Sequence, residues 1–348
     1  MKATLIHGPG DIRLEDVPDP TLVQDTDAVV RVVAACVCGS DLWPYRGENP
    51  VHEPRRIGHE FVGVVEEAGA GVRSLKAGDF VIAPFMYSDN TCPNCEAGIQ
   101  SACVAGGFWG DEDRDGRPLD GGQGELVRVP QADGTLVSLR DQPDEEHVPS
   151  LLALSDVMGT GWHAAVVSGV LEGDTVVVVG DGAVGLCGVL AATRLGAERV
   201  IAMSRHESRQ QVARSFGATD VVATRGEEGE HDVLELTAGV GADAVLECVG
   251  TGQAMQTALA VARPGATVGY VGAPHGVELP VRQMFNRNVG VAGGLAPARQ
   301  YLPALRDDVL SGAINPGAVF DLDLPLADVA EGYRAMDERR AIKTLLRP

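Results

Sequence analysis

The sequence predicts an α/β chain of two domains, one β-rich and one a doubly wound parallel sheet, on three observations. Up to about residue 150 there is no helix-length periodicity. Short alternating or apolar runs at 28–34, 61–67, 79–83 and 124–129 are parted by Gly, Pro and Asp, the texture of a small barrel or sandwich. From about 155, strand-like and helix-like segments alternate as in βαβ units. The third observation is the run Val176-Val177-Val178-Val179, which leads into Gly180-Asp181-Gly182-Ala183-Val184-Gly185. Four β-branched residues in a row read as a strand buried on both faces. The three glycines allow a tight turn, close approach of the backbone to a pyrophosphate, and close helix–strand packing. The helix that follows offers free N–H groups to the anion. A dinucleotide site is therefore expected at Gly180, Gly182, Ala183, Val184 and Gly185.

In the second half the pattern predicts strands at 175–180, 199–204, 219–223, 242–247 and 266–271. Helices are expected at 183–195, 207–216, 230–239 and 252–262. The stretch 297–348 reads as a helix at 297–311, a turn at Asn315-Pro316-Gly317, a strand at 318–322, a helix at 326–338 and a strand at 342–346. These do not continue the sheet, which points some of them back to the first domain. Two long irregular segments, 43–56 and 86–122, interrupt the β-rich half, and loops of that length are usually functional.

Composition narrows the function classes. The 348 residues carry a net charge of −21 from scattered acids, which argues against nucleic acid or anionic membranes as partners. No apolar run is long enough to span a bilayer, and the first residues lack a signal peptide's apolar core, so a soluble cytoplasmic protein is expected. Seven cysteines, an odd number in a chain of this size, favour thiols and metal ligands over disulfides. Cys36, Cys187 and Cys248 sit among small apolar residues and read as buried filler.

Cys38-Gly39-Ser40-Asp41 lies shortly before Gly58-His59-Glu60. Thiolate, imidazole and carboxylate together suit a zinc ion with an open coordination position. Taken singly, Cys38 is more often a buried thiol and His59 more often a structural histidine. A second cluster, Cys92-Pro93-Asn94-Cys95 with Cys103, is one ligand short of a closed tetrahedral site.

Several ordered motifs now carry a resemblance over nearly the whole chain. They are Cys38-Gly39-Ser40-Asp41, Gly58-His59-Glu60 followed by Gly63, Lys76-Ala77-Gly78-Asp79-Phe80-Val81, Thr160-Gly161-Trp162-His163-Ala164-Ala165, and the Gly180–Gly185 turn. The chain resembles the zinc-dependent medium-chain alcohol dehydrogenases. The resemblance implies a GroES-like catalytic domain over 1–153 and 297–348, with a zinc lobe at about 86–107, and a Rossmann cofactor domain over 154–296. It implies that Cys38, His59 and Asp156 bind a catalytic zinc, that Glu60 sits beside the metal, and that Asp41 holds the ring of His59. Asp156 also reads as a helix N-cap. As a ligand where relatives have Cys or Asp, it makes the site harder than a thiolate would. The lobe spacing places Cys92, Cys95 and Cys103 on the last three positions of a structural-zinc site and Asp89, in place of a thiol, on the first.

The implied chemistry is hydride transfer at zinc, between a nicotinamide cofactor and an alcohol, aldehyde or ketone. Ser40 matches the hydroxyl that begins the family's proton relay. Trp43 stands where many relatives continue that relay with His, which leaves the proton's exit open. At the end of the second strand of the cofactor domain, an NAD-selective fold carries Asp or Glu. Ser204 takes that place here, with Arg205 and Arg209 following, a set that suits the 2′-phosphate of NADP(H). The resemblance also places Thr160, Val271, Gly272, Leu295 and Lys343 at the cofactor, Lys343 through its phosphates. Trp43, Trp109, Met158 and Leu295 are candidates for an apolar substrate pocket. Relatives pair through the last strands of the cofactor domain, here 266–271 and 288–294, so a homodimer or homotetramer is expected. The rivals are a zinc-free quinone or enoyl reductase of the same fold and a non-catalytic NADPH-binding protein.

Overall fold

The computed structural model describes residues 1–113, 115–139 and 141–348. The chain forms two compact units, Met1–Asp156 with Pro297–Pro348, and Val157–Ala296.

The second unit is built on a six-stranded parallel sheet. Numbered along the chain, its strands Thr175–Val179, Arg199–Met203, Asp220–Val222, Ala242–Glu247, Ala262–Tyr270 and Gly290–Gly293 lie in the order 3-2-1-4-5-6. That is the dinucleotide-binding arrangement, with the strand order reversing beside the first strand. The four valines of that strand are buried, as a parallel sheet covered on both faces requires. The helix Ala183–Arg194 follows at once and buries Leu186, Val189 and Leu190. Its closeness to the strand depends on glycine. A side chain on Gly185 would collide with the Gly180 carbonyl group, and Gly180 itself has φ +117°. The helix expected at 230–239 runs instead over Gly226–Leu236. Glu227 and Glu228 favour an earlier start, since their charge complements the helix N-terminus.

The first unit centres on the strand Ala28–Cys36. It pairs antiparallel with Phe61–Ala68, with Leu126–Val129 and with the C-terminal strand Thr344–Arg347. The chain end therefore closes the sheet of the β-rich domain, with Leu345 opposite Cys36 and Leu346 opposite Ala35. The strand expected at 318–322 is a 3₁₀ turn over Pro316–Val319, and the strand comes later, at Leu322–Pro325. Pro316 at the turn's start explains the difference, because its fixed φ and missing N–H suit a helical first turn better than a ladder. Helix Val329–Asp337 buries Val329, Tyr333 and Met336 in a core with Ile6, Val37 and Leu42.

Trp109, a candidate pocket wall, belongs instead to the core of the first unit. Its ring meets Phe61 edge-on at 5.2 Å and its indole N–H donates to the Pro84 carbonyl at 2.8 Å. No helix among the described residues is long and apolar enough to cross a membrane.

Candidate functional site

Cys38 lies just beyond the end of the central strand, where Val37 N–H still bonds the Thr344 carbonyl at 3.0 Å. The chain then turns, with Asp41 N–H returning to the Cys38 carbonyl, and enters the short helix Leu42–Arg46. His59 and Glu60 immediately precede the strand Phe61–Ala68. Pairing of Ala35 with Phe61 brings them alongside Cys38. Asp156 is delivered by a third segment, anchored where Ser155 Oγ donates to the Phe61 carbonyl at 3.2 Å and Phe85 N–H bonds the Ser155 carbonyl at 2.9 Å.

The ligand atoms of Cys38, His59, Glu60 and Asp156 all lie within 4.8 Å of one another. Asp156 Oδ2 is 3.6 Å from Cys38 Sγ and 3.4 Å from His59 Nε2. Zinc–ligand bonds of about 2.0–2.3 Å in a tetrahedron separate neighbouring donors by roughly 3.3–3.8 Å, so the set is spaced for the ion. The electrostatics agree. Burial alone pushes the His59 ring towards neutrality, yet Asp41, Cys38 and Asp156 hold its pKa well above the ordinary value. This buried cluster calls for a cation. Glu60 is fully buried, with Oε1 on the Lys343 ammonium at 2.7 Å and Oε2 left without a partner among the described residues. An orphaned carboxylate oxygen at the edge of a ligand set is the polar group a metal would satisfy.

His59 is oriented from behind. Its Nδ1 faces Asp41 Oδ1 at 3.3 Å, while Asp41 Oδ2 accepts from Cys38 N–H at 2.9 Å and from Gln123 Nε2 at 3.2 Å. Gln123 also donates to the Cys36 carbonyl and accepts from the Tyr333 hydroxyl, both at 3.0 Å. Such outer contacts fix a ligating imidazole's tautomer and direction. Gln123 and Tyr333 escaped the sequence reading. They come from remote segments, and the only local trace is Gly58, which has φ +97° and over which the Gln123 side chain passes.

The second cluster joins Asp89, Cys92, Cys95 and Cys103, again within 4.8 Å. The Cys92 sulfur lies 3.6 Å from that of Cys95 and 3.9 Å from that of Cys103. Zinc–sulfur bonds of about 2.3 Å give tetrahedral edges of about 3.8 Å. Asp89 Oδ1 accepts from the N–H groups of Thr91 and Cys92 at 2.9 and 3.0 Å. Burial works to raise the Asp89 carboxyl, but these backbone donors and the nearby thiols bring it down to about 2, so it is anionic wherever the protein is folded at neutral pH.

In the second unit the helix Ala183–Arg194 has Gly182 as N-cap with no side-chain capping bond. A Cβ on Gly182 would meet nothing within 4 Å, which leaves room for a ligand at the helix start. Ser204 and Arg205 follow the strand Arg199–Met203. Ser204 is buried. Arg205 is exposed, and its guanidinium has no partner among the described residues. Arg209 is already engaged, lying 3.3 Å from Asp181 Oδ1. Val271 and Gly272 donate their N–H groups to the Glu247 carbonyl, Thr160 is buried in the helix Val157–Ser168, and Leu295 is exposed. Lys343 differs most from its expected place. It is buried in the first unit with its ammonium on Glu60 and on the Val37 carbonyl at 3.2 Å, beside the candidate metal ligands. Ser40 is exposed, and its hydroxyl makes no hydrogen bond among the described residues.

Residues 24–141 match the alcohol dehydrogenase GroES-like domain family, and residues 183–310 match the zinc-binding dehydrogenase family. A probable zinc-binding alcohol dehydrogenase of Mycobacterium tuberculosis is 36% identical, the alignment covering 100% of this chain and 89% of the relative. Among solved structures, the alcohol dehydrogenase of Thermus sp. ATN1 superposes with a TM-score of 0.92 at 32% identity, covering 100% of this chain and 99% of its own. A putative zinc-binding dehydrogenase of Sinorhizobium meliloti 1021, bound to NADP, gives 0.82 at 27% identity over 100% and 99%.

Proposed function

The chain belongs to the zinc-dependent alcohol dehydrogenases, and on that premise we propose that it is a cytoplasmic NADP(H)-dependent enzyme interconverting an alcohol with an aldehyde or ketone. The chemistry supplied by bound zinc and nicotinamide is Lewis-acid polarisation of the substrate oxygen and exchange of a hydride. In this reading Cys38, His59 and Asp156 hold the catalytic metal, Glu60 stands in reserve, and Asp41 keeps the His59 ring in line. Asp89, Cys92, Cys95 and Cys103 hold a second, structural zinc. Ser40 takes or returns the proton at the substrate oxygen, and its exposure lets that proton pass to water without the missing histidine of the relay. The observation that carries the metal chemistry is the spacing of the four donors, two buried and two partly buried, with one Glu60 oxygen left unsatisfied.

For the cofactor, the support is Arg205, whose guanidinium is unpartnered among the described residues and which stands two residues past the strand end where a ribose 2′ substituent is read. The strand Gly290–Gly293 is an edge of its sheet, and unpaired edge groups support subunit pairing there. The deciding experiment couples metal analysis with steady-state kinetics on a panel of aldehydes, ketones and secondary alcohols. Two zinc ions per chain and a higher kcat/KM with NADPH than with NADH are expected. One zinc per chain rejects the Asp89 site, equal efficiency with both cofactors rejects NADP(H) selection, and activity that survives removal of zinc rejects the metal mechanism.

A further inference from the structure

Three donors converge on one carboxylate at the end of the strand Arg199–Met203. Ser204 Oγ donates to Asp181 Oδ2 at 3.0 Å, Arg205 N–H donates to the same oxygen at 3.2 Å, and the Arg209 guanidinium lies 3.3 Å from Oδ1. Arg209 also reaches the Asp181 carbonyl at 3.3 Å. Asp181 is buried, and burial works to raise its pKa. The Arg209 charge, the Ser204 hydroxyl and the Arg205 amide outweigh that and hold the carboxyl below its usual range. An acid thus stands where an NAD-selective fold has one, but it arrives from the glycine turn and not from the second strand.

A hydroxyl, a backbone N–H and a guanidinium are also the donors that would grip a phosphate monoester on the ribose. In this chain a carboxylate already occupies them. The Arg205 guanidinium beside them, exposed and unpartnered among the described residues, is left over for an incoming anion.

We propose that Asp181 is a specificity-determining residue whose carboxylate fills the donor set a ribose 2′-phosphate needs, and so narrows the NADP(H) preference that Arg205 confers. The 2′-phosphate of NADP(H) meets a like charge there, whereas the 2′-hydroxyl of NAD(H) has an acceptor to donate to. The identity of the preferred cofactor rests on the NADP(H) reading above; the direction in which Asp181 pulls does not.

The test measures dissociation constants for NADPH and NADH by cofactor fluorescence, using the zinc-loaded full chain and its Asp181→Asn and Arg205→Ala variants. Removing one like charge next to a phosphate dianion is expected to move the ratio Kd(NADH)/Kd(NADPH) about tenfold towards NADPH even at a water-like dielectric. Arg205→Ala is expected to move it the other way. General loss of structure weakens both cofactors together and leaves the ratio where it was. If the asparagine variant does not fold, Asp181→Ser reads the same ratio. In Asp181 variants that keep the wild-type Tm, an unchanged ratio, or one displaced towards NADH, overturns the proposal. A wild-type enzyme that prefers NADH defeats the NADP(H) reading alone, since the shift caused by Asp181→Asn is still measured.

Discussion

Gly58→Ala is a single methyl group placed next to His59 of the candidate metal site, and its effect follows from the geometry. Gly58 has φ +97°, which L side chains rarely adopt, and a Cβ there would stand 2.9 Å from both Gln123 Cδ and Gln123 N, and closer still to Gln123 Cγ. The backbone conformation costs about 1–2 kcal/mol for a non-glycine residue. Overpacking adds about 1–3 kcal/mol. Together these make a loss of about 2–5 kcal/mol, or roughly 5–15 °C in Tm for a domain of this size. The clash also pushes Gln123 away from Asp41 and the Tyr333 hydroxyl, loosening the support behind His59. Thermal unfolding of the zinc-loaded protein measures the first effect and kcat/KM the second. A double-mutant cycle with Gln123→Ala separates the side-chain collision from the rest, because truncating Gln123 removes that collision and leaves the φ strain and the close approach to the Gln123 backbone N. The double variant is expected to lose less than the sum of the single losses, by about 1–2 kcal/mol. A Gly58→Ala protein that melts within about 1 °C of wild type, or a cycle that is additive, would refute the reasoning.

Two further outcomes are expected. Ser40→Ala removes an exposed hydroxyl that supports no other group among the described residues, so zinc content and Tm should hold while kcat falls by about a hundredfold or more; unchanged turnover removes Ser40 from proton transfer. Lys343→Met leaves the buried Glu60 carboxylate without its cation, for a destabilisation of about 3–5 kcal/mol. Adding Glu60→Gln should restore most of the lost stability in a melting experiment, and a double variant no better than the single one argues against the pair.

Much of the fold was legible because its signals are local. Four valines before a glycine turn specify a buried parallel strand wherever they occur, and βαβ units repeated from that strand specify a doubly wound parallel sheet, whose order 3-2-1-4-5-6 the structure supplies. The errors lie where a local signal competes with another. At 226–229 a turn-like Gly-Glu-Glu-Gly is a helix start, favoured by its acidic first turn. At 316–319 proline converts an apparent strand into a 3₁₀ turn. Trp109 reads from sequence as a free aromatic, and only its approach to Phe61 and to the Pro84 carbonyl makes it core.

By itself the sequence determined the glycine turn, the close spacing of Asp89, Cys92, Cys95 and Cys103 and the absence of an acid at Ser204, since each depends on residues near one another in the chain, whereas Asp156 joined Cys38 and His59 only through the family resemblance. Tertiary structure decided how those groups are held. Gln123 and Tyr333 reach the back of Asp41 from distant segments, Lys343 turns inward to Glu60 because the last strand pairs beside Cys36, and Asp181 crosses from its turn to the donors around Ser204. Hydrogen bonds and ion pairs depend on distance in space, which no spacing along the chain encodes.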